Sequence, residues 1–184
     1  MVLLGSKAPG RTVEQHDVFF GIGQTLRSLI PDMRTFWPEA GSSLHIDGWR
    51  EVTYVDGHQV DVQMNLEAET RLRSRKRLFF INLGGYRTGI LEEQHYTLLT
   101  VQEDRKGAVK TSVMTDFFKQ QSIAAIKSAS AHIDEKYGID VDEVYQIEDV
   151  LAPAAKSKYR ILLIPASSGK TDKIHLGYHK LDKV

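Results

Sequence analysis

Apolar and polar positions run through two similar rounds along the chain. Residues 2–4 predict a short apolar strand, and residues 5–11, with Pro9 and two glycines, a turn. Residues 14–22 predict a second strand. Its Val18-Phe19-Phe20 run is apolar on both faces, as in a central strand. Leu26, Leu29, Ile30, Met33, Phe36 and Trp37 then fall at helical spacing and form one apolar stripe. Pro31 either kinks that helix or opens a second short one, and Pro38 ends it. Residues 50–54 and 58–64 predict strands joined through Asp56-Gly57, a hairpin signal. The unit is strand–strand–helix–strand–strand.

A polar segment, residues 66–77, separates this unit from a second. There, residues 78–83 and 94–101 predict strands, and Val109, Val113, Met114, Phe117 and Phe118 a helix stripe. Residues 141–147 and 159–164 supply two more strands. The last twenty residues predict an irregular cap with a short strand at 174–178.

The two rounds share residues as well as rhythm. Leu4-Gly5, Gly10 and Glu14-Gln15-His16 recur 79 positions later as Leu83-Gly84, Gly89 and Glu93-Gln94-His95. His45-Ile46-Asp47 recurs as His132-Ile133-Asp134 at an offset of 87. These matches predict an internal duplication, with repeat units at 1–65 and 78–165, a linker at 66–77 and an extension at 166–184. The predicted fold is α+β, two similar halves related by a pseudo-two-fold axis, with mainly antiparallel sheet and helices on one side of it.

Particular strings carry a resemblance. Gly10-Arg11, Glu14 to Gly23, Phe36-Trp37-Pro38, His45-Ile46-Asp47 and Trp49-Arg50-Glu51-Val52 together resemble the small bacterial family catalogued as domain of unknown function 1543. The second round is similar to it through Glu93-Gln94-His95, His132-Ile133-Asp134, Lys136-Tyr137-Gly138 and Val141 to Tyr145. The resemblance implies a one- or two-copy architecture and no particular activity.

Composition narrows the class. Apolar residues make up 41% and charged residues 26%, a balance that buries a core rather than leaving the chain disordered. Lys+Arg and Asp+Glu number 24 each, so no global field draws nucleic acid or an anionic membrane. The absence of cysteine removes disulfides, thiolate nucleophiles and Cys-ligated metals. No run approaches the roughly 18 to 20 apolar residues of a membrane span, and residues 1–7 lack a signal-peptide pattern. The expected location is the cytoplasm. The expected partner is a small molecule or a protein; no motif fixes a cofactor.

The candidate chemistry is histidine and carboxylate. On an extended strand Glu14 and His16 share a face, where a carboxylate orients an imidazole as a proton acceptor. Alternatively, the pair hydrogen-bonds the preceding turn and holds the start of the strand. His45 and Asp47 share a face in the same way. With Glu14 and His16 they could form a metal set, but no close-spaced helical His pair supports one, so no metal is assigned. The candidate catalytic residues are therefore Glu14, His16, His45 and Asp47. Arg11, Gln15, Trp49 and Arg50 are the candidate ligand-binding residues, Trp49 because it stands between Gly48 and Arg50.

Weaker signals are set aside. Ser167 to Thr171 ends like a phosphate loop, but Ile164 occupies the place of its first glycine and no helix pattern follows. Gly21-Ile22-Gly23 has Leu26 where a third glycine belongs. The Arg71 to Arg77 cluster reads as a solvated linker, and Gly177 spoils the helical spacing of His175 and His179. Two functions remain open: a small-ligand or peptide binding protein with enzymatic chemistry as an option, and a non-catalytic interaction module built by the tandem repeat. A polar pocket lined by His16 and Asp47 distinguishes the first, and a flat exposed patch at Trp49 and Arg50 the second.

Overall fold

A computed structural model of the chain describes residues 1–65, 75–85, 90–115, 144–167 and 171–184. It is an α+β protein, and every strand pairing among the described residues is antiparallel. In chain order the strands and helices are β1 (Val2–Ser6), β2 (Gln15–Phe19), α1 (Ile30–Phe36), β3 (His45–Trp49), β4 (Tyr54–Val55), β5 (His58–Met64), β6 (Arg77–Gly85), β7 (Gln94–Gln102), α2 (Arg105–Ser112), β8 (Val144–Gln146), α3 (Ile147–Val150), α4 (Pro153–Lys158), β9 (Tyr159–Pro165) and β10 (His175–Lys180). They fall into two compact units, one of residues 1–67 and 150–184, the other of residues 68–149.

The first unit holds a four-stranded sheet in the order β10-β3-β1-β2 and a three-stranded sheet in the order β4-β5-β9. One face of the larger sheet carries Val2, Leu4, Phe19 and Ile46, all buried, and Met33 of α1 packs into them with no exposure at all. Pro31 stands in the first turn of α1, where its missing N–H costs nothing. The helix stops at Trp37, just before Pro38. Asp56 and Gly57 both take positive φ, 47° and 75°, which is the two-residue turn that joins β4 to β5.

Three expectations need correction. The strand predicted at residues 50–54 is reduced to β4, Tyr54–Val55, and a strand that was not predicted, β3, lies just before it at His45–Trp49. Its polar residues, His45 and Asp47, lie on the face away from the core, so the segment lacks an apolar signature. The strand predicted as central, β2, is an edge strand, and β1 is flanked on both sides. Phe20 is buried beyond the end of β2, so its apolar character does not mark a second covered face of the strand. Asp17 opposes buried Leu4 on this edge. The residue as a whole stays exposed, but partial burial of its carboxylate raises its pKa, while the Val18 N–H at 2.7 Å pulls it back. Finally, β9 was expected to close the second half. It pairs along its whole length with β5, from His58 opposite Pro165 to Met64 opposite Tyr159. The short strand predicted at 174–178 forms as β10, His175–Lys180, and continues the first sheet beside β3.

The second unit carries a sheet in the order β7-β6-β8 with α2 against it, around Phe79, Ile81, Leu83, Ala108 and Val144. Its hairpin repeats the register of the first. Gly5 faces His16, and Gly84 faces His95; Leu4 faces Asp17, and Leu83 faces Tyr96. The third strands also correspond, with Trp49 opposite Val2 and Val144 opposite Ile81. Trp49 and Val144 are 95 positions apart, so this register differs from the 87-residue spacing of the His-Ile-Asp match. At a spacing of 95, His45 and Asp47 correspond in sequence to Asp140 and Asp142. His132-Ile133-Asp134, Lys136 to Gly138, Val141 to Glu143, Phe117, Phe118, Gly89, most of the 66–77 linker and the Ser168-Gly169-Lys170 stretch lie outside the described residues.

Candidate functional site

The face of the β10-β3-β1-β2 sheet opposite α1 carries the polar residues. Gly5 of β1 lies between His16 of β2 and His45 of β3, directly opposite both. The β1–β3 register shifts between Leu3 and Leu4, which pair with Gly48 and Ile46, so Asp47 is an extra residue in a bulge. Its carboxylate turns onto the same face as His45. Glu14, just ahead of β2, reaches over Gly5 from the other side.

Four side chains meet there. His45 Nε2 is 2.8 Å from Glu14 Oε1 and 3.3 Å from Asp47 Oδ1. His16 Nε2 is 3.2 Å from Asp47 Oδ2 and 3.4 Å from Glu14 Oε1. His45 is the buried member, its side chain 4% exposed; Asp47 is 21% exposed, and Glu14 and His16 form the open rim at 40% and 49%. Gly5 makes this meeting possible. A Cβ there would lie closer than 3.0 Å to the Asp47 carboxylate, His45 Nε2 and Glu14 Oε1 together.

Hydrogen bonding fixes the tautomer of His45. Its Nδ1 is 2.8 Å from the Ser43 carbonyl oxygen, which only accepts, so Nδ1 carries a proton. Ser43 is itself held, its hydroxyl donating to the Ala40 carbonyl and meeting the Ser6 hydroxyl at 2.7 Å. In the neutral imidazole, Nε2 is therefore a bare lone pair, and it faces two carboxylates. Three acceptors in contact need a positive charge between them, a proton or a metal ion. Asp47 Oδ2 sharpens the point. It is buried without a hydrogen-bond partner among the described residues, since the nearby His16 Nε2 lacks hydrogen-bond alignment. On the far side the Tyr178 ring of β10 lies 4.3 Å from the His45 ring, tilted by 38°.

The structure thus brings Glu14, His16, His45 and Asp47 together and leaves the other four candidates outside the cluster. Gln15 Nε2 donates to the Val13 carbonyl at 2.5 Å, and Gln94 Nε2 does the same to Glu92 at 3.3 Å, so the glutamine of each triplet braces its own turn. Arg11 is exposed in that turn. Trp49 packs against the core face, its ring stacked on His175 at 4.0 Å, and Arg50 exchanges backbone hydrogen bonds with Met1. Sequence reasoning missed Gly5, Ser43 and Tyr178. The recurrence of Leu-Gly in both rounds was the available signal for Gly5; nothing marked the other two.

The second unit has a thinner counterpart. His95 Nε2 is 3.9 Å from Glu93, and His95 Nδ1 is 3.3 Å from Asn82. Among the described residues, the atoms nearest a Cβ on Gly84 all belong to the Glu93 side chain.

Comparison with known proteins gives a family match and a shared fold. Residues 11–62 match the model of a family described as Domain of Unknown Function (DUF1543). The matched segment contains all four members of the cluster, and the resemblance read from the sequence is found there. No curated protein matches the chain at a significant level. Among solved structures, the crystal structure of protein Il1583 from Idiomarina loihiensis is similar, with a TM-score of 0.60 at 19% identity over 98% of this chain and 94% of that one. That likeness shows the fold. No helix among the described residues is long and apolar enough to cross a membrane.

Proposed function

We propose that the protein binds a small ligand on the outer face of its four-stranded sheet, against Glu14, His16, His45 and Asp47, and that the same groups equip it for acid–base chemistry. The convergence of His45 Nε2 with two carboxylates above Gly5 carries this reading. Purely structural histidines and carboxylates satisfy one another; here a buried carboxylate oxygen has no hydrogen-bond partner among the described residues. His16 stands at the rim, half exposed, with carboxylates on two sides, which suits it to exchange a proton with a bound molecule. The other reading, a tandem-repeat interaction module, relied on an exposed patch at Trp49 and Arg50. The packing of Trp49 on the core and on His175 counts against it.

We also read the two halves as copies of one ancestral unit, which the shared hairpin register supports. Among the described residues, the complete four-membered cluster is found in the first copy.

A ligand-observed NMR screen of small polar fragments tests the binding reading. Hits should shift the imidazole resonances of His16 or His45 and should lose binding to His16→Ala. That variant should keep its folding stability within about 0.5 kcal/mol, because a half-exposed imidazole with ion-pair contacts contributes little. Fragments that bind His16→Ala as well as the parent, or that map to Trp49 and Arg50, would move the site elsewhere.

A further inference from the structure

The cluster has the donor set and spacing of a metal centre, and we propose that it binds one divalent first-row transition ion, of the zinc or cobalt kind. The ligands are His45 Nε2, Glu14 Oε1 and the Asp47 carboxylate, and His16 Nε2 stands at the rim as a fourth. This inference rests on the outer-face site proposed above and names what fills it.

The spacing comes first. Two ligands about 2.0–2.2 Å from one metal lie about 3.3–3.6 Å apart in a tetrahedron and about 2.8–3.1 Å apart along an octahedral edge. The observed contacts are 2.8, 3.2, 3.3 and 3.4 Å. One atom from each of Glu14, His45 and Asp47 fits within 4.8 Å of the other two. His45 Nε2 thus stands from Glu14 Oε1 and Asp47 Oδ1 as two ligands of one shell stand, and His16 Nε2 lies at similar distances from both carboxylates, outside that three-residue group.

The orientation comes second. A metal-binding imidazole commonly gives its other N–H to a backbone carbonyl, which fixes the tautomer and aims the lone pair. His45 does this through Ser43, and Ser43 is anchored in turn to Ala40 and Ser6. A cation at this point also answers the two electrostatic demands of the site. It separates Nε2 from the carboxylates, and it gives Asp47 Oδ2 the partner that no hydrogen bond supplies.

The donor chemistry selects the ion. Magnesium and calcium favour all-oxygen shells, whereas two imidazole nitrogens with two carboxylates suit zinc, cobalt, nickel, manganese or iron. The open rim at Glu14 and His16 leaves room for a water or a ligand oxygen on the metal, which links this ion to the proposed small-ligand site.

The test uses tag-free full-length protein stripped with EDTA and titrated with zinc chloride in a calorimeter, with cobalt(II) absorption as a second readout. One ion per chain should bind, and Glu14→Gln, Asp47→Asn and His45→Gln should each weaken it by about 100-fold or more. His95→Ala, in the other unit, should bind as the parent does. Because His45 is buried, its variant can misfold; the exposed Glu14 keeps the result interpretable. Equal affinity in all four variants, or no binding by the parent, overturns the metal. Imidazole nitrogen spectra recorded in excess zinc separate the two failures. If His45 carries protons on both nitrogens while fragments still bind at His16, the metal is wrong and the ligand site stands. If fragments and zinc both ignore these residues, both readings fall.

Discussion

A chain ended at Asp149 should lose the folded first unit. The truncation removes α4, β9 and β10. It strips β5 of its seven-residue partner and leaves the outer edge of β3 unpaired. It also removes Leu181, 4% exposed in the core beside Met33 and Ile46. Losing a buried leucine alone costs about 2–5 kcal/mol. Set against the roughly 5–15 kcal/mol that hold a typical domain together, the leucine and two strands exceed the margin. The proton–nitrogen spectrum of the truncated chain should lose the dispersed resonances of β1, β2 and β3. If those resonances persist at native positions, residues 150–184 are an appendage and the unit has been wrongly drawn.

Adding one carbon at Gly5 should abolish the site, while the same change at Gly84 should pass nearly unnoticed. In Gly5→Ala the new Cβ meets three side chains at once, two of them anchored on β3 within a bulge and one of them buried. They must separate or the strand must shift. Overpacking of this kind costs about 1–3 kcal/mol, and zinc affinity should fall below detection because the ligands no longer converge. In Gly84→Ala the nearest atoms among the described residues belong to the half-exposed, flexible Glu93 side chain, which can swing away. Its stability should change by less than about 1 kcal/mol, helped by the lower entropy cost of alanine in a strand. Urea unfolding and zinc titration of the pair measure both effects. Equal behaviour of the two variants would mean that the first hairpin holds nothing the second lacks.

Much of the fold was legible because local chemistry speaks loudly there. Asp56-Gly57 sets a turn that few other pairs permit, and Pro31 and Pro38 bracket a helix by what they cannot do. The apolar stripe led to Met33 in the core. The misreadings share a cause. His45–Trp49 is a strand whose outer face serves the polar cluster, so alternation was masked by the very residues of interest. Strand β9 has an ordinary strand sequence, and nothing local tells that its partner is β5, nearly a hundred residues away. Strand β10 was legible at 174–178, but nothing local tells that it extends the first sheet beside β3.

The candidate site divides similarly. Glu14, His16, His45 and Asp47 were legible as residue types in a repeated pattern, and the structure gathers them over Gly5. That they converge, rather than form two separate pairs, depends on β1 lying between β2 and β3 and on the bulge at Asp47. Neither is encoded in spacing. The Ser43 carbonyl that sets the His45 tautomer is a backbone group, invisible to any reading of side chains.

Anomalous diffraction from crystals soaked in zinc tests the central claim most directly. The account predicts a strong peak over Gly5, about 2.0–2.2 Å from His45 Nε2, Glu14 Oε1 and an Asp47 oxygen. A map with no peak there, and with His45 Nε2 still 2.8 Å from Glu14 Oε1 in direct contact, would contradict it.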